Sequence, residues 1–365
     1  MRVGRLFRRS AVLGGLGLLP LTLFPLFFIG SQCAGSGGPA RANEPSTAAA
    51  GVDGYARPGA ATFLALPEWY VVYNAEEYAA AIGHEAPSRF PYFRTIRQFW
   101  RYYRSVCVTT RNQYPFPVRI HSRLAATGMS FSAEHVVKGA YEKTLGHVAE
   151  WIAGHDTPED AFAARTAREY ARFLHTRPWY EFPFAARLEA LWKETPPWGP
   201  RPVRKWERRV VLSAEYGVKA LYAGLARVVA GYLHRADNAG IDVLAENVPD
   251  QVLADARIKQ VKAVGPRVYI LRLPRHEAFT AIVPALARQG VRLRDIAGNE
   301  EIFLTVRAPR AWAFGLGPGR LVLAEPLLTD RRVQRVGIAA PVSALHTVLT
   351  RLERSGATLE QLYDY

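Results

Sequence analysis

One ten-residue pattern occurs twice in this chain. Ser132-Ala133-Glu134-x-x-Val137-Lys138-x-x-Tyr141 returns as Ser213-Ala214-Glu215-x-x-Val218-Lys219-x-x-Tyr222. Upstream, Phe90-Pro91-Tyr92 with Trp100-Arg101 returns as Phe182-Pro183-Phe184 with Trp192-Lys193. Before that, Ala75-x-Glu77-Tyr78-Ala79 returns as Ala167-x-Glu169-Tyr170-Ala171. Three blocks recurring in one order predict a tandem duplication, with copies over about 62–153 and 157–235. Two copies of one unit usually pack about a pseudo-twofold axis, which brings equivalent residues together.

Each copy reads as three helices: a short one with the Glu-Tyr-Ala block, a second with the Phe-Pro…Trp block, and a long third with Ser-Ala-Glu. Asp156-Thr157-Pro158-Glu159 supplies a helix start and a hinge between copies. Taking every third or fourth residue of the long helix gives Glu134, Lys138, Tyr141, Leu145, Val148 and Ile152. The counterpart gives Glu215, Lys219, Tyr222, Ala226, Val229 and Leu233. The charges lie in line with apolar residues rather than opposite them. A Glu four residues before a Lys contributes only about 0.3–0.5 kcal/mol when exposed. In a dry interior, removing one partner costs about 3–5 kcal/mol. The pattern predicts a four-charge cluster of Glu134, Lys138, Glu215 and Lys219, with the Tyr141 and Tyr222 hydroxyls donating to it. These six residues are the candidate site. It reads either as a structural network that fixes helix register or as a small polar, proton-handling site on the axis. Val210 to Leu233 is apolar enough to suggest a membrane span. Its duplicate carries Glu134, Lys138, Glu142, Lys143, His147 and Glu150, so neither copy is expected to cross.

Arg2, Arg5, Arg8 and Arg9 precede an uncharged apolar run from Ala11 to Gly30. That length spans a bilayer core, and the flanking arginines place the N-terminus in the cytoplasm and the body outside. The expectation is a single-pass inner-membrane anchor over 1–30; the alternative is a signal peptide cleaved near Ala42, releasing the body to the periplasm. Residues 31–60, rich in Gly, Ala, Ser and Pro, read as a flexible tether. Cys33 follows the apolar run, but Gly30-Ser31-Gln32 matches a lipoprotein acylation site poorly. Cys33 and Cys107 are the only cysteines, too few for a metal cage or a disulfide framework.

The pattern changes toward the carboxy terminus. Arg267–Leu273 reads as a strand, His276–Gln289 as a helix closed by Gly290, and Val291–Ile296 as a strand. Val333–Ala339, Val342–Ser355 closed by Gly356, and Ala357–Tyr363 repeat that order. Two split βαβ units in succession predict one α+β domain of ferredoxin-like type over about 255–365. Glu301–Arg307 and Arg320–Glu325 would then enlarge its sheet, with a turn at Gly298-Asn299. Gly315-x-Gly317-Pro318-Gly319-Arg320 lacks the strand, helix and Lys-Ser/Thr that a phosphate loop needs.

Charge and missing motifs narrow the function. The formal charge is +15, but it is spread: +5 over residues 1–43, and 18 basic against 14 acidic residues over 234–365. With no concentrated basic footprint, nucleic-acid binding is not expected. No Gly-x-Ser-x-Gly, His-Glu-x-x-His, Cys-x-x-Cys or Walker sequence occurs, and no histidine sits in a repeated position to activate Ser132 or Ser213. The expected protein is non-catalytic, tethered to the membrane, and acts by binding or assembly with a protein partner, without cofactor or metal. The alternative is an enzyme or small-ligand protein whose polar site lies on the axis of the helical domain. Peripheral membrane binding would need an exposed patch around Trp69 and Trp179.

Overall fold

The computed structural model describes residues 33, 57, 59–111, 113–114, 118–233, 240–313, 315 and 317–363, with side chains up to 228 in the helix that ends at 233. The anchor expected over 1–30 lies outside the described residues, as does all of the tether except Cys33, Arg57, Gly59 and Ala60. No helix among the described residues is long and apolar enough to cross a membrane.

The amino-terminal region is helical. α1 (Ala60–Leu64) and α2 (Leu66–Ile82) lead through a 3-10 turn at Pro87–Arg89 into α3 (Tyr92–Thr110). α4 (Val118–Tyr141) continues through a π turn at Glu142–Gly146 into α5 (His147–Ala153). A second set follows: α6 (Pro158–Leu174), a 3-10 turn at Trp179–Glu181, α7 (Phe184–Glu194) and α8 (Pro202–Leu233). The repeated blocks occupy matching positions. Phe90 and Phe182 are extended, at ψ 138° and 135°, as residues preceding proline tend to be. Pro91 and Pro183 then start α3 and α7 from φ −86° and −80°. The helix start at Thr157-Pro158 forms where the sequence placed it. Thr157 Oγ1 accepts from the Asp160 N–H, the Asp160 carboxylate accepts from the Thr157 N–H, and Pro158 opens α6.

The carboxy-terminal region is built from two antiparallel sheets. The first contains β1 (Gly240–Glu246), β2 (Lys259–Gly265), β3 (Val268–Pro274) and β4 (Arg292–Ile296) in the order β2-β3-β1-β4. A short helix, α9 (Asp250–Leu253), follows β1, and α10 (Glu277–Arg288) precedes β4. The second contains β5 (Glu301–Pro309), β6 (Arg320–Pro326), β7 (Val333–Pro341) and β8 (Thr358–Leu362) in the order β6-β7-β5-β8, with α11 (Leu345–Arg354) before β8. The single enlarged sheet expected from the sequence is therefore corrected to two. β1 lies before the expected boundary at 255. It pairs with both β3 and β4, which completes a four-stranded sheet without β5.

Strand alternation decides what each sheet touches. Ile302, Leu304 and Val306 share one core with Ile241, Val243, Leu271 and the buried faces of α10 and α11. The intervening Phe303, with Leu323, Ala339 and Tyr363, packs on Phe63, Leu66, Tyr73 and Tyr102 of the helical region. The second sheet is thus covered on both faces. Polar contacts fix this layer junction. Thr62 Oγ1 donates to Tyr363 O at 3.0 Å and accepts from Phe303 N at 3.2 Å. Tyr73 OH lies 2.9 Å from both Thr305 Oγ1 and Tyr363 OH. Arg335, 1% exposed, pairs with Glu77 of α2 and with Glu360, and its guanidinium sits 3.9 Å from the Tyr73 ring centre. Cys33 and Cys107 of α3 are joined by a disulfide across 74 residues of sequence.

Candidate functional site

α2 and α6 pack side by side, and the long helices α4 and α8 flank them. Glu134 and Lys138 project from α4, and Glu215 and Lys219 from α8. The ion pairs between the helices are reciprocal: Lys138 to Glu215 at 3.0 Å, and Lys219 to Glu134 at 2.8 Å. Lys219 also holds Glu215 at 2.9 Å within α8. Each ammonium lies over an aromatic ring from the Glu-Tyr-Ala block of its own repeat. Lys138 is 4.3 Å from the Tyr78 ring centre and Lys219 is 5.6 Å from that of Tyr170. The four predicted charges therefore meet, but the site is not dry. The Glu134 side chain is 46% exposed, whereas the other three are exposed by about a fifth.

The two predicted tyrosines are a correction. Tyr141 OH donates to Glu207 Oε1 at 2.5 Å, away from the cluster. Tyr222 is half exposed and stacks on Trp179, ring centres 5.0 Å apart and 24° between planes. On a helix, a residue three after a lysine is rotated about 60° from it, enough to carry both rings past the cavity edge. The rings that serve the cluster come from α2 and α6 instead. The repeated Trp and Ser also have a role that sequence reasoning missed. Trp100 Nε1 donates to Ser132 Oγ at 3.1 Å, and Trp192 Nε1 to Ser213 Oγ at 3.0 Å, tying α3 to α4 and α7 to α8 in the same way.

A cavity of about 90 Å³ lies among Tyr78, Glu134, Lys138, Tyr170, Glu215 and Lys219, with His135 at its edge. Every ionisable side chain lining it is displaced from neutrality. Burial would raise the Glu215 carboxyl, but Lys138 and Lys219 hold it well below its usual range; Glu134 is lowered in the same way by Lys219. Burial works against both lysines, and their carboxylate partners still raise them. Burial pushes Tyr78, Tyr92, Tyr170 and Tyr216 up and His135 down to about 4. His135 Nδ1 lies 2.8 Å from Phe131 O and its Nε2 3.0 Å from Asn74 Oδ1, while Asn74 Nδ2 donates to Thr95 Oγ1 at 3.4 Å.

A larger charged network, not singled out in the sequence, fills the first two turns of α8. Arg204 pairs with Asp160 at 2.7 Å and Glu207 at 3.0 Å, Lys205 with Glu159 at 2.9 Å, and Arg208 with Glu142 at 2.9 Å. Arg209 reaches Glu159 at 3.2 Å. All four cations are buried. The extra residue of the π turn aims Glu142 inward, where a side chain on Gly146 would clash with its carboxylate. The only sequence signal was five charges within the six residues 204–209.

The patch around Trp69 and Trp179 that peripheral membrane binding would need does not form, because Trp69 is buried against Tyr73 and Tyr363. Cys33, Cys107 and His121 bring donor atoms within 4.8 Å of one another, but the sulfurs are bonded together in this state. Comparisons with protein-family models, with curated proteins and with solved structures returned no match.

Proposed function

We propose that this chain is a non-catalytic, membrane-tethered extracytoplasmic protein that acts by binding or assembly. Its helical part would be a tandem duplication, and each four-stranded sheet a ferredoxin-like unit whose first crossover is reduced, to the four-residue α9 in the first and to a stretch with no helix among the described residues in the second. One observation carries the reading. Every ionisable group lining the cavity at the meeting of the repeats is displaced from neutral pH, so none is poised to exchange a proton in turnover. The volume of about 90 Å³ falls well below the few hundred Å³ that substrates usually occupy. The disulfide suits an oxidising compartment.

The alternative reading, a small-ligand site, is supported by the exposure of Glu134 at the cavity mouth, which leaves room for waters or a small ion. Two measurements separate the readings. A carboxy-terminal alkaline phosphatase fusion should be active and stay with membranes after carbonate washing; a silent, cytoplasmic fusion overturns the placement. Chemical crosslinking in those membranes should recover a stoichiometric protein partner whose capture survives Glu134→Gln. A partnerless chain that instead binds a small solute, and loses it in Glu134→Gln, reverses the choice.

A further inference from the structure

The second long helix is built inside out. The face of α8 turned toward the other helices carries its charges, Arg204, Lys205, Arg208, Arg209, Glu215 and Lys219, all paired with carboxylates or lysines. The opposite face carries none from 210 to 228. At 100° per residue, Val210, Ala214, Val218, Leu221, Leu225 and Val228 fall within one arc directly opposite the buried Leu212, Tyr216 and Ala223. The five large residues of that arc are each more than half exposed, Leu221 reaching 79%. Nothing stands within 4 Å of a side chain built on Gly217 or Gly224 beside them. The arc is about 27 Å long.

The neighbouring helix continues it. The ion pairs between α4–α5 and α8 run antiparallel, with Glu134 opposite Lys219 and Glu142 opposite Arg208. Along α4, the π turn and α5 the exposed apolar residues include Val118, Val136, Val137, Leu145, Val148 and Ile152. Two tryptophans mark one end of the pair: Trp151, 82% exposed, at the end of α5, and Trp198, 76% exposed, just before α8. By contrast, only Val261, Val264 and Leu321 are exposed apolar residues of comparable size among the described residues of the two-sheet region.

We propose that this face lies on the bilayer surface, with α8 in the membrane plane and its apolar arc set into the headgroup boundary. This rests on the reading of residues 11–30 as a membrane segment. Three features select lipid over a second copy of the chain. Cys33 follows the uncharged run by three residues and is bonded to Cys107, so at most about 10 Å of chain separates the helical body from the anchor. Charges paired inward beneath an apolar outer face are the arrangement required of helices in contact with lipid. Indoles at the border of such a face match the headgroup level.

The test places a photoreactive benzoylphenylalanine at Leu221, Leu225 or, as a control, Val261 in the full chain, reconstituted into phosphatidylethanolamine–phosphatidylglycerol vesicles. Irradiation should give lipid adducts at 221 and 225, at least tenfold above 261. The same contact can be checked without the photoreactive group: in the variant Leu221→Glu with Leu225→Glu, tryptophan quenching by brominated lipid should fall at least twofold. Chain-to-chain adducts at 221, or equal lipid adducts at all three positions, overturn the proposal. If the chain does not remain with the vesicles after carbonate washing, the tethering itself fails. If it remains but residue 221 captures no lipid, only the docking fails.

Discussion

Lys219 Nζ lies 2.8 Å from Glu134 Oε1, so an ammonium from one repeated helix meets a carboxylate from the other. The counterpart contact, Lys138 to Glu215, is 3.0 Å, but Glu215 also accepts from Lys219. Glu215 therefore neutralises two cations and Glu134 one. The repeats match in position without being equal in load.

That inequality predicts unequal costs. Glu215→Gln takes from Lys138 the carboxylate it pairs with and leaves Lys219 only the half-exposed Glu134; with side chains about four-fifths buried, the loss should be about 2–3 kcal/mol, below the 3–5 of full burial. Glu134→Gln should cost at most about 1 kcal/mol, since that carboxylate is nearly half exposed. Urea unfolding of the two variants reads the difference. Equal midpoints would mean that solvent, rather than the lysines, carries both charges.

The junction between helices and sheets should be more sensitive. Arg335→Leu takes the guanidinium from the buried Glu77, leaves Glu360 to Arg307, and removes the cation from the Tyr73 ring, for an expected loss of about 3–5 kcal/mol. Adding Glu77→Gln to that variant should recover part of it. A double variant no more stable than Arg335→Leu would show that the arginine acts through packing alone.

Acid should weaken the fold before its carboxylates titrate. Burial holds His121 and His135 at about 4, whereas unfolded histidine titrates near 6.5. The unfolded chain thus takes up more protons between those values. The contribution is whole above about pH 6.5 and falls as pH drops toward 4, by at most roughly 3 kcal/mol per ring. Urea midpoints measured in steps from about pH 7 to 4 should show the decline, and His121→Gln with His135→Gln should flatten it. An unchanged slope in the double variant would assign the sensitivity to other groups.

Much of this was legible in the chain. The helix start at Thr157-Pro158 is a local device, written in a few adjacent residues, and it appears where expected; Pro91 and Pro183 open their helices by an equally local device. The meeting of Glu134 and Lys138 with Glu215 and Lys219 followed from repetition, because like surfaces tend to meet. Tyr141 and Tyr222 were misplaced because a helical stripe is wide enough to hold residues that face different neighbours. β1 was missed because it lies ahead of the expected boundary at 255, outside both expected domains, although Ile241, Val243 and Ala245 alternate as a strand should.

The sequence by itself determined periodicity: which stretches coil, which extend, and that two of them are alike. Tertiary structure alone decided the partners over long separations, such as Cys33 with Cys107 and Glu77 with Arg335, 258 residues apart. A side chain's periodicity depends on its near neighbours in the chain, whereas its partner depends on how whole layers dock. That docking set the outward face of α8 as well, by turning the helix's charges to the inner side and leaving its apolar side to whatever lies beyond.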